Sequence, residues 1–258
     1  MGKLQIGLMS DSHNRHAEFD AGSGDILLHS GDCTGRGTPD EIMRFLEWYA
    51  QQDYGYLIMI PGNHDWGLER DYEFWKKKAF DMGIIMLNDS GFEADGVKIW
   101  GSPVQPWFHS WAFNRARTLE QAQHMQIPWI KNHWDLIPND TEILITHGPA
   151  YGILDEVTMV NGDSYKPPQH VGCEELLHKI KQTPSIALHV SGHIHEGRGV
   201  KQVDNCTYVN ASSLDRMYSP VGKRVVDLED GRKKGHSIIK ATREILPDNS
   251  ILYTVDEN

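Results

Sequence analysis

Two residues apart, Asp11 and His13 place a carboxylate and an imidazole in one short polar stretch. The same residue types return in four more clusters. These are Asp32 after Gly31, Asn63-His64-Asp65 after Gly62, His147 before Gly148, and His193 with His195 across Ile194. Imidazole and carboxylate together suit borderline cations such as zinc, manganese and iron. No cysteine follows the pattern, which argues against a structural zinc site. A carboxylate has two oxygens and can bridge two metals. Seven candidate ligands are too many for one ion and suit two. Each residue alone is weak: a lone Asp more often caps a helix, and Gly-Asn often makes a turn. Five clusters in one chain, each beside an apolar run, leave coincidence a poor explanation.

Those apolar runs are the elements that must position the ligands. Leu4–Met9 and residues 26–29, 56–60, 142–146 and 186–190 are short, rich in Ile, Leu and Val, and bounded by Gly or Pro. They read as buried strands. Residues two apart on an extended strand end point the same way, which fits Asp11 with His13 and His193 with His195. Helical patterns lie between: residues 39–52, with Ile42, Phe45, Leu46 and Tyr49 at helical spacing, then 69–82, 118–133 (broken or kinked at Pro128) and 172–181. Strand–helix alternation predicts an α/β sheet protein, in which sites form outside the carboxyl ends of strands. Residues 207–210, 222–227, 237–240 and 251–255 read as strands without long helices between them, plausible antiparallel additions. No repeat or linker interrupts the chain. The expectation is one domain over residues 1–258, with the motifs in 11–195 and strands in 207–258 completing the sheets. The charged stretch 229–235 reads as a solvated hairpin turn.

Composition narrows the function. A chain of 258 residues can build its own core. A net charge of −11 argues against stable nucleic-acid binding, which depends on a basic surface. Cys33, Cys173 and Cys206 are scattered, which suggests a reducing compartment and no disulfide framework. No run approaches the ~20 apolar residues of a membrane span, and Leu4–Met9 reads as a strand, not a signal peptide. A cytoplasmic protein with no membrane partner is expected; homo-oligomerisation stays open.

The clusters Asp11-Ser12-His13, Gly31-Asp32, Gly62-Asn63-His64-Asp65, His147 and Gly192-His193-Ile194-His195 together resemble the signature of the calcineurin-like metallophosphoesterases. The resemblance spans roughly residues 4–215. Trp100-Gly101-Ser102-Pro103, Trp111-Ala112-Phe113-Asn114 and Ile145-Thr146-His147-Gly148-Pro149 are similar to the metallophosphoesterase-domain-containing subgroup, as is the run from Gly192 to Gly197. Members of that subgroup are associated with phosphodiesterase activity, including on cyclic nucleotides.

The resemblance implies a two-sheet β-sandwich flanked by helices, with a metal site at the strand C-terminal ends. It implies that Asp11, His13 and His195 bind one divalent metal and that Asn63, His147 and His193 bind a second. Asp32 would bridge the two, and His64 would act beside them without ligating. Manganese, iron, zinc, nickel or magnesium would serve. Metals about 3.5–4 Å apart share a water, lower its pKa toward ~7, and present a hydroxide for in-line attack on phosphorus. His64 would protonate the leaving alkoxide. The expected substrate is a small or nucleotide phosphodiester. The alternatives are a phosphomonoesterase or nuclease on the same site, or a non-catalytic scaffold of the same fold.

One departure is visible. The protein-phosphatase branch reads Gly-Asp-x-x-Asp-Arg-Gly in its second motif, and here Gly35 stands where the second Asp would be. Support for His64 must then come from elsewhere, from Asp65 or a backbone carbonyl.

Secondary candidates carry competing readings. Trp107, Phe108, Trp111 and Phe113 could stack on a base or pin a loop. Arg36 could touch phosphate, but a surface arginine is the safer reading. Arg115, Arg117 and Lys166 are the other basic residues that could flank the site. Asn210 reads as a turn residue before a supporting one. Residues 158–170 could form a lid, and His189 reads as packed within its strand.

Overall fold

The computed structural model describes residues 3–158, 160–161, 164–165, 167–226, 233–248 and 250–257. The expected turn over 229–235 lies mostly outside them, as do residues 159, 162, 163 and 166 of the expected lid, Lys166 included.

Two mixed six-stranded sheets face each other. Their strands, in chain order, are β1 (Leu4–Met9), β2 (Ser23–Ser30), β3 (Asp53–Ile60), β4 (Ile84–Met86), β5 (Ser90–Ala94) and β6 (Val97–Ser102). They continue as β7 (Ile143–Thr146), β8 (Leu188–Ser191), β9 (Gly199–Val203), β10 (Cys206–Asn210), β11 (Ile239–Ile245) and β12 (Ile251–Asp256). The first sheet runs β12-β11-β1-β2-β3-β4 and the second β9-β10-β8-β7-β6-β5. In the first, β1 to β4 are parallel, while β11 lies antiparallel to β1, pairing Leu4 with Arg243 and Leu8 with Ile239. In the second, β6, β7, β8 and β10 are parallel, with antiparallel β5 and β9 at the edges.

Alternation along each strand makes the layers. Ile6, Leu8, Ile26, Leu28, Ile58 and Ile60 point between the sheets, where they meet Ile99, Ile143, Ile145, Leu188, Val190 and Val209. The opposite face of the first sheet, with Met9, Leu27, Leu57 and Met59, packs on helices α1 (Pro39–Tyr49), α2 (Trp66–Arg70) and α3 (Tyr72–Asp81). The outer face of the second, with Leu144, Cys206 and Tyr208, meets Trp134, Leu176 and Ile180. Those three belong to or follow helix α4 (Leu119–Met125): Trp134 ends α5 (Lys131–Trp134), and Leu176 and Ile180 lie on α6 (Glu174–Gln182). The result is the expected α/β sandwich with helices on both outer faces. Strands buried on both sides need apolar residues at nearly every position, which is why they stood out as runs.

Helix α1 starts where expected, on a capping box of Thr38 and Glu41 with Pro39 next to it. The predicted helix over 69–82 is two helices, broken at Asp71 (φ −138°, ψ 56°). The predicted 118–133 helix is also two, with Pro128 in the gap. Strands β4, β5, β6 and β9 went unpredicted. The partly exposed β5 (Ser-Gly-Phe-Glu-Ala) and β9 (Gly-Val-Lys-Gln-Val) lack an unbroken apolar run.

Candidate metal centre at the sheet edge

The site forms where loops leave the carboxyl ends of β1, β2, β3, β7 and β8. The loops after β1 and β2 run side by side, with Asp11 N donating to Gly31 O (2.9 Å) and His13 N to Asp32 O (3.1 Å). This pairing forces sharp bends. Asp11 (φ +52°), His13 (+38°), Asp32 (+55°) and His193 (+65°) all sit in the left-handed region although none is glycine. Such conformations cost about 1 kcal/mol or more each and persist only where surrounding contacts impose them. Two glycines permit the crowding: a Cβ at Gly62 would lie 2.3 Å from Asp32 Oδ1, and one at Gly192 2.1 Å from Asp11 Oδ2.

Buried Asp65 locks the second loop to the third. Its carboxylate accepts from Gly62 N (2.7 Å), Thr34 N (3.0 Å), Thr34 Oγ1 (2.6 Å) and Cys33 N (3.3 Å). None of these bonds runs to His64. His64 Nδ1 instead faces Gly35 O at 2.9 Å. Of the two supports considered for His64, the carbonyl is present, and it comes from the residue where the acidic side chain is missing.

The same device orients three other imidazoles. His13 Nδ1 faces Thr34 O (3.2 Å), His147 Nδ1 faces Ser30 O (2.9 Å), and His195 Nδ1 faces Asp215 O (2.9 Å). A carbonyl only accepts, so each Nδ1 carries a proton and each Nε2 turns inward. Three Nε2 atoms surround Asp32 Oδ2: His147 at 3.4 Å, His13 at 3.7 Å and His64 at 3.9 Å. Asp32 Oδ1 is taken by His64 N at 2.8 Å. Asp11 accepts from His193 N (2.9 Å) and Ser212 Oγ (2.8 Å), and His195 Nε2 lies 3.5 Å away. His147 Nε2 is also 2.9 Å from Asn63 Oδ1.

The ligand atoms of Asp11, His13 and His195 lie within 4.8 Å of one another, as do those of Asp32, His147 and His193. His13, Asp32 and His64 make a third such group between them. His13 Nε2 is buried without a hydrogen-bond partner. An orphaned acceptor converging with carboxylate oxygens fits a cation in the space they share.

Electrostatics agree. Burial would raise the Asp11 and Asp32 carboxyls, but the histidines around them outweigh it, so both are held well below the usual range. Burial opposes charge on His147 and His195 too, yet Asp32 raises the first to about 9 and Asp11 the second to about 9. His13 is lowered by burial, and His193 falls to about 4 for the same reason.

The residues gather unevenly around a cavity of about 420 Å³. Trp111 walls it, with its ring centroid 4.3 Å from that of His64, and Phe108 lines it too, whereas Phe113 is buried. The aromatic stretch thus divides between wall and core. Arg36 is exposed, as the safer reading had it. Arg115 and Arg117 are tied into the scaffold, through His133 and through the Val171 and Gly172 carbonyls. His189 is packed in β8, with Nε2 2.8 Å from Thr146 Oγ1.

Asn210 corrects the turn reading. It is the last residue of β10, fully buried, and its amide reaches Ile194 O (2.8 Å) while its Oδ1 accepts from Ser212 N (3.1 Å). It braces the histidine loop against the loop that supplies Ser212. Sequence reading missed Ser212, Glu196, Arg216 and Tyr218. Glu196 adjoins His195 and could have been flagged; no motif or periodicity marks the others.

Comparison with known proteins now adds to this geometry. Residues 4–197 match the family model described as calcineurin-like phosphoesterase, and the chain belongs to that family. Metallophosphoesterase domain-containing protein 1 of Homo sapiens is 37% identical over 246 residues, covering 87% of this chain and 71% of its own. A Synechococcus protein named as a probable cyclic nucleotide phosphodiesterase is 25% identical over 80% of this chain and 73% of its own. Among solved structures, a candidate 5′-nucleotidase of Staphylococcus aureus shares the fold, with a TM-score of 0.52 at 12% identity over 99% of this chain and 53% of its own.

Proposed function

We propose that this protein is a two-metal phosphoesterase whose reaction is hydrolysis of a small or nucleotide phosphodiester. The observation that carries the reading is the ring of three inward Nε2 atoms around Asp32 Oδ2, at 3.4, 3.7 and 3.9 Å. Asp11, His13 and His195 would hold one divalent ion, Asn63, His147 and His193 the other, and Asp32 both. When bound, such a pair supplies Lewis acidity and a water of lowered pKa.

The remaining work belongs to side chains of this chain. The carbonyls behind Nδ1 of His13, His64, His147 and His195 keep those four imidazoles from rotating, so this part of the site is organised before substrate arrives. His64, with its side chain 18% exposed, faces the cavity and is held by Gly35 O and the Trp111 ring. Its Nε2 gives a proton to the leaving alkoxide. The name of the Synechococcus relative makes a nucleotide diester the first substrate class to try.

The test is an assay on metal-stripped protein with Mn²⁺, Zn²⁺, Fe²⁺, Ni²⁺ or Mg²⁺ restored singly. Bis-p-nitrophenyl phosphate is compared with p-nitrophenyl phosphate. Metal-dependent turnover of the diester, lost in Asp32→Ala, is expected. No turnover of either ester with any metal would sink the proposal.

A further inference from the structure

The family match ends at residue 197, yet the cavity wall does not. A loop after β10 closes one side. Ser213 N donates to Ser10 O (2.8 Å), Asp215 O lies 2.9 Å from His195 Nδ1, and Asp215 Oδ1 accepts from Met217 N and Ser219 N (both 2.8 Å). Tyr218 takes φ +58°, its carbonyl held by Arg15 and its ring 5.0 Å from that of His13. This anchored turn carries Arg216 to the cavity.

Among the described residues lining that cavity, Arg216 is the one arginine or lysine, and Asp32 and Glu196 are the carboxylates. Its Nε lies 3.7 Å from Glu196 Oε1, beyond hydrogen-bond distance, and the two side chains are 51% and 30% exposed. A pair this loose and wet holds its partners weakly. The guanidinium fork is therefore free to take two oxygens of a phosphate, the geometry arginine suits best.

A phosphodiester carries one negative charge. Its hydrolysis breaks one P–O ester bond, forms a P–OH bond with the oxygen of water, and sends water's other proton to the departing alkoxide. What remains is a phosphomonoester, with a second pKa of about 6 and so close to two charges at neutral pH. On the metal side of the cleft the proposed ions would meet the first charge; at the other side Glu196 repels the second, and Arg216 is the cation placed to offset it.

We propose that Arg216 is a specificity-determining residue that binds this second charge of a phosphomonoester, as substrate or as the product of diester cleavage, displacing Glu196. The proposal rests on the phosphoesterase reading above. It predicts that the protein retains its monoester product and is inhibited by inorganic phosphate.

The experiment uses the full chain with Arg216→Ala, Arg216→Lys and Glu196→Gln, each checked for unchanged melting temperature and metal content. Inorganic phosphate is titrated calorimetrically at pH 8, and the monoester-to-diester ratio of kcat/KM is measured with the two p-nitrophenyl esters. In Arg216→Ala both phosphate affinity and the ratio should fall about tenfold, with part recovered in Arg216→Lys, since a lysine keeps the charge and loses the fork. Glu196→Gln should bind phosphate more tightly. A ratio and a phosphate affinity that both stay within about twofold of wild type in Arg216→Ala would overturn the proposal. If the wild type hydrolyses neither ester, the functional reading fails, and the calorimetric arm still decides the role of Arg216.

Discussion

His64 and its backbone partner show how a single side chain can be positioned without an acidic neighbour. A carbonyl orients the ring through one hydrogen bond, weaker than a carboxylate's would be, and adds no negative charge beside Asp32. Replacing His64 with Ala should lower kcat by about 10²-fold or more, the usual contribution of a positioned acid, while bound metal measured by elemental analysis stays the same. A second prediction concerns protons. Without metal, His147 and His195 titrate at about 9, so both are charged at pH 7. A cation must displace those protons. Metal affinity should therefore rise as pH climbs toward 9, and loading at pH 7 should release about two protons per protein. Calorimetry of Mn²⁺ binding in two buffers of different ionisation enthalpy reads that number; no release would contradict the assignment of both residues as ligands.

At the scale of elements, the loop after β2 depends on one carboxylate. Asp65 is buried and satisfied by donors from Gly62, Cys33 and Thr34, so Asp65→Ala leaves those donors unpaired. The expected cost is about 3 kcal/mol, seen as a lower urea midpoint, with metal affinity falling in parallel. Here the limits of reading a sequence become physical. The strands that deliver Asp11, Asp32, Asn63, His147 and His193 are covered on both faces, so they are written as apolar runs and their polar ends stand out. Strand β5 is half exposed and offers no such signal. The break at Asp71 is set by tertiary packing, because the apolar spacing of 69–82 continues through it. Arg216 was hidden for another reason. Its place at the cavity follows from where Asp215 O docks on His195, a contact between loops that no local spacing encodes.

The whole molecule carries an acid liability in buried histidines outside the proposed ligand set. Burial holds His29 and His189 at about 3 and, with Arg44, His16 at about 4. In the unfolded chain each titrates near 6.5. Their folded pKa values are depressed, so the unfolded state takes up protons first as pH falls. Their stability contribution is intact above about pH 6.5 and declines toward pH 4, by about 1.4 kcal/mol per pH unit for each group. His189→Gln, which keeps a partner for Thr146, should lose less stability than wild type between pH 7.5 and 5.5, by about 1 kcal/mol in urea unfolding of chelated protein. An equal loss in both would mean that His189 charges in the folded state.

The pairing of β1 with β11 has a consequence for how the chain is made. Leu8 lies against Ile239, so the strand that leads into Asp11 is flanked on one side by a segment synthesised long after it. The inward histidines are divided in the same way, His13 and His64 arriving early and His147, His193 and His195 late. The early half therefore emerges from the ribosome as an unfinished sheet with an open edge, before His147, His193 and His195 have been made. On the reading proposed above, a complete metal site would exist only once both halves of the chain have been made and have closed together.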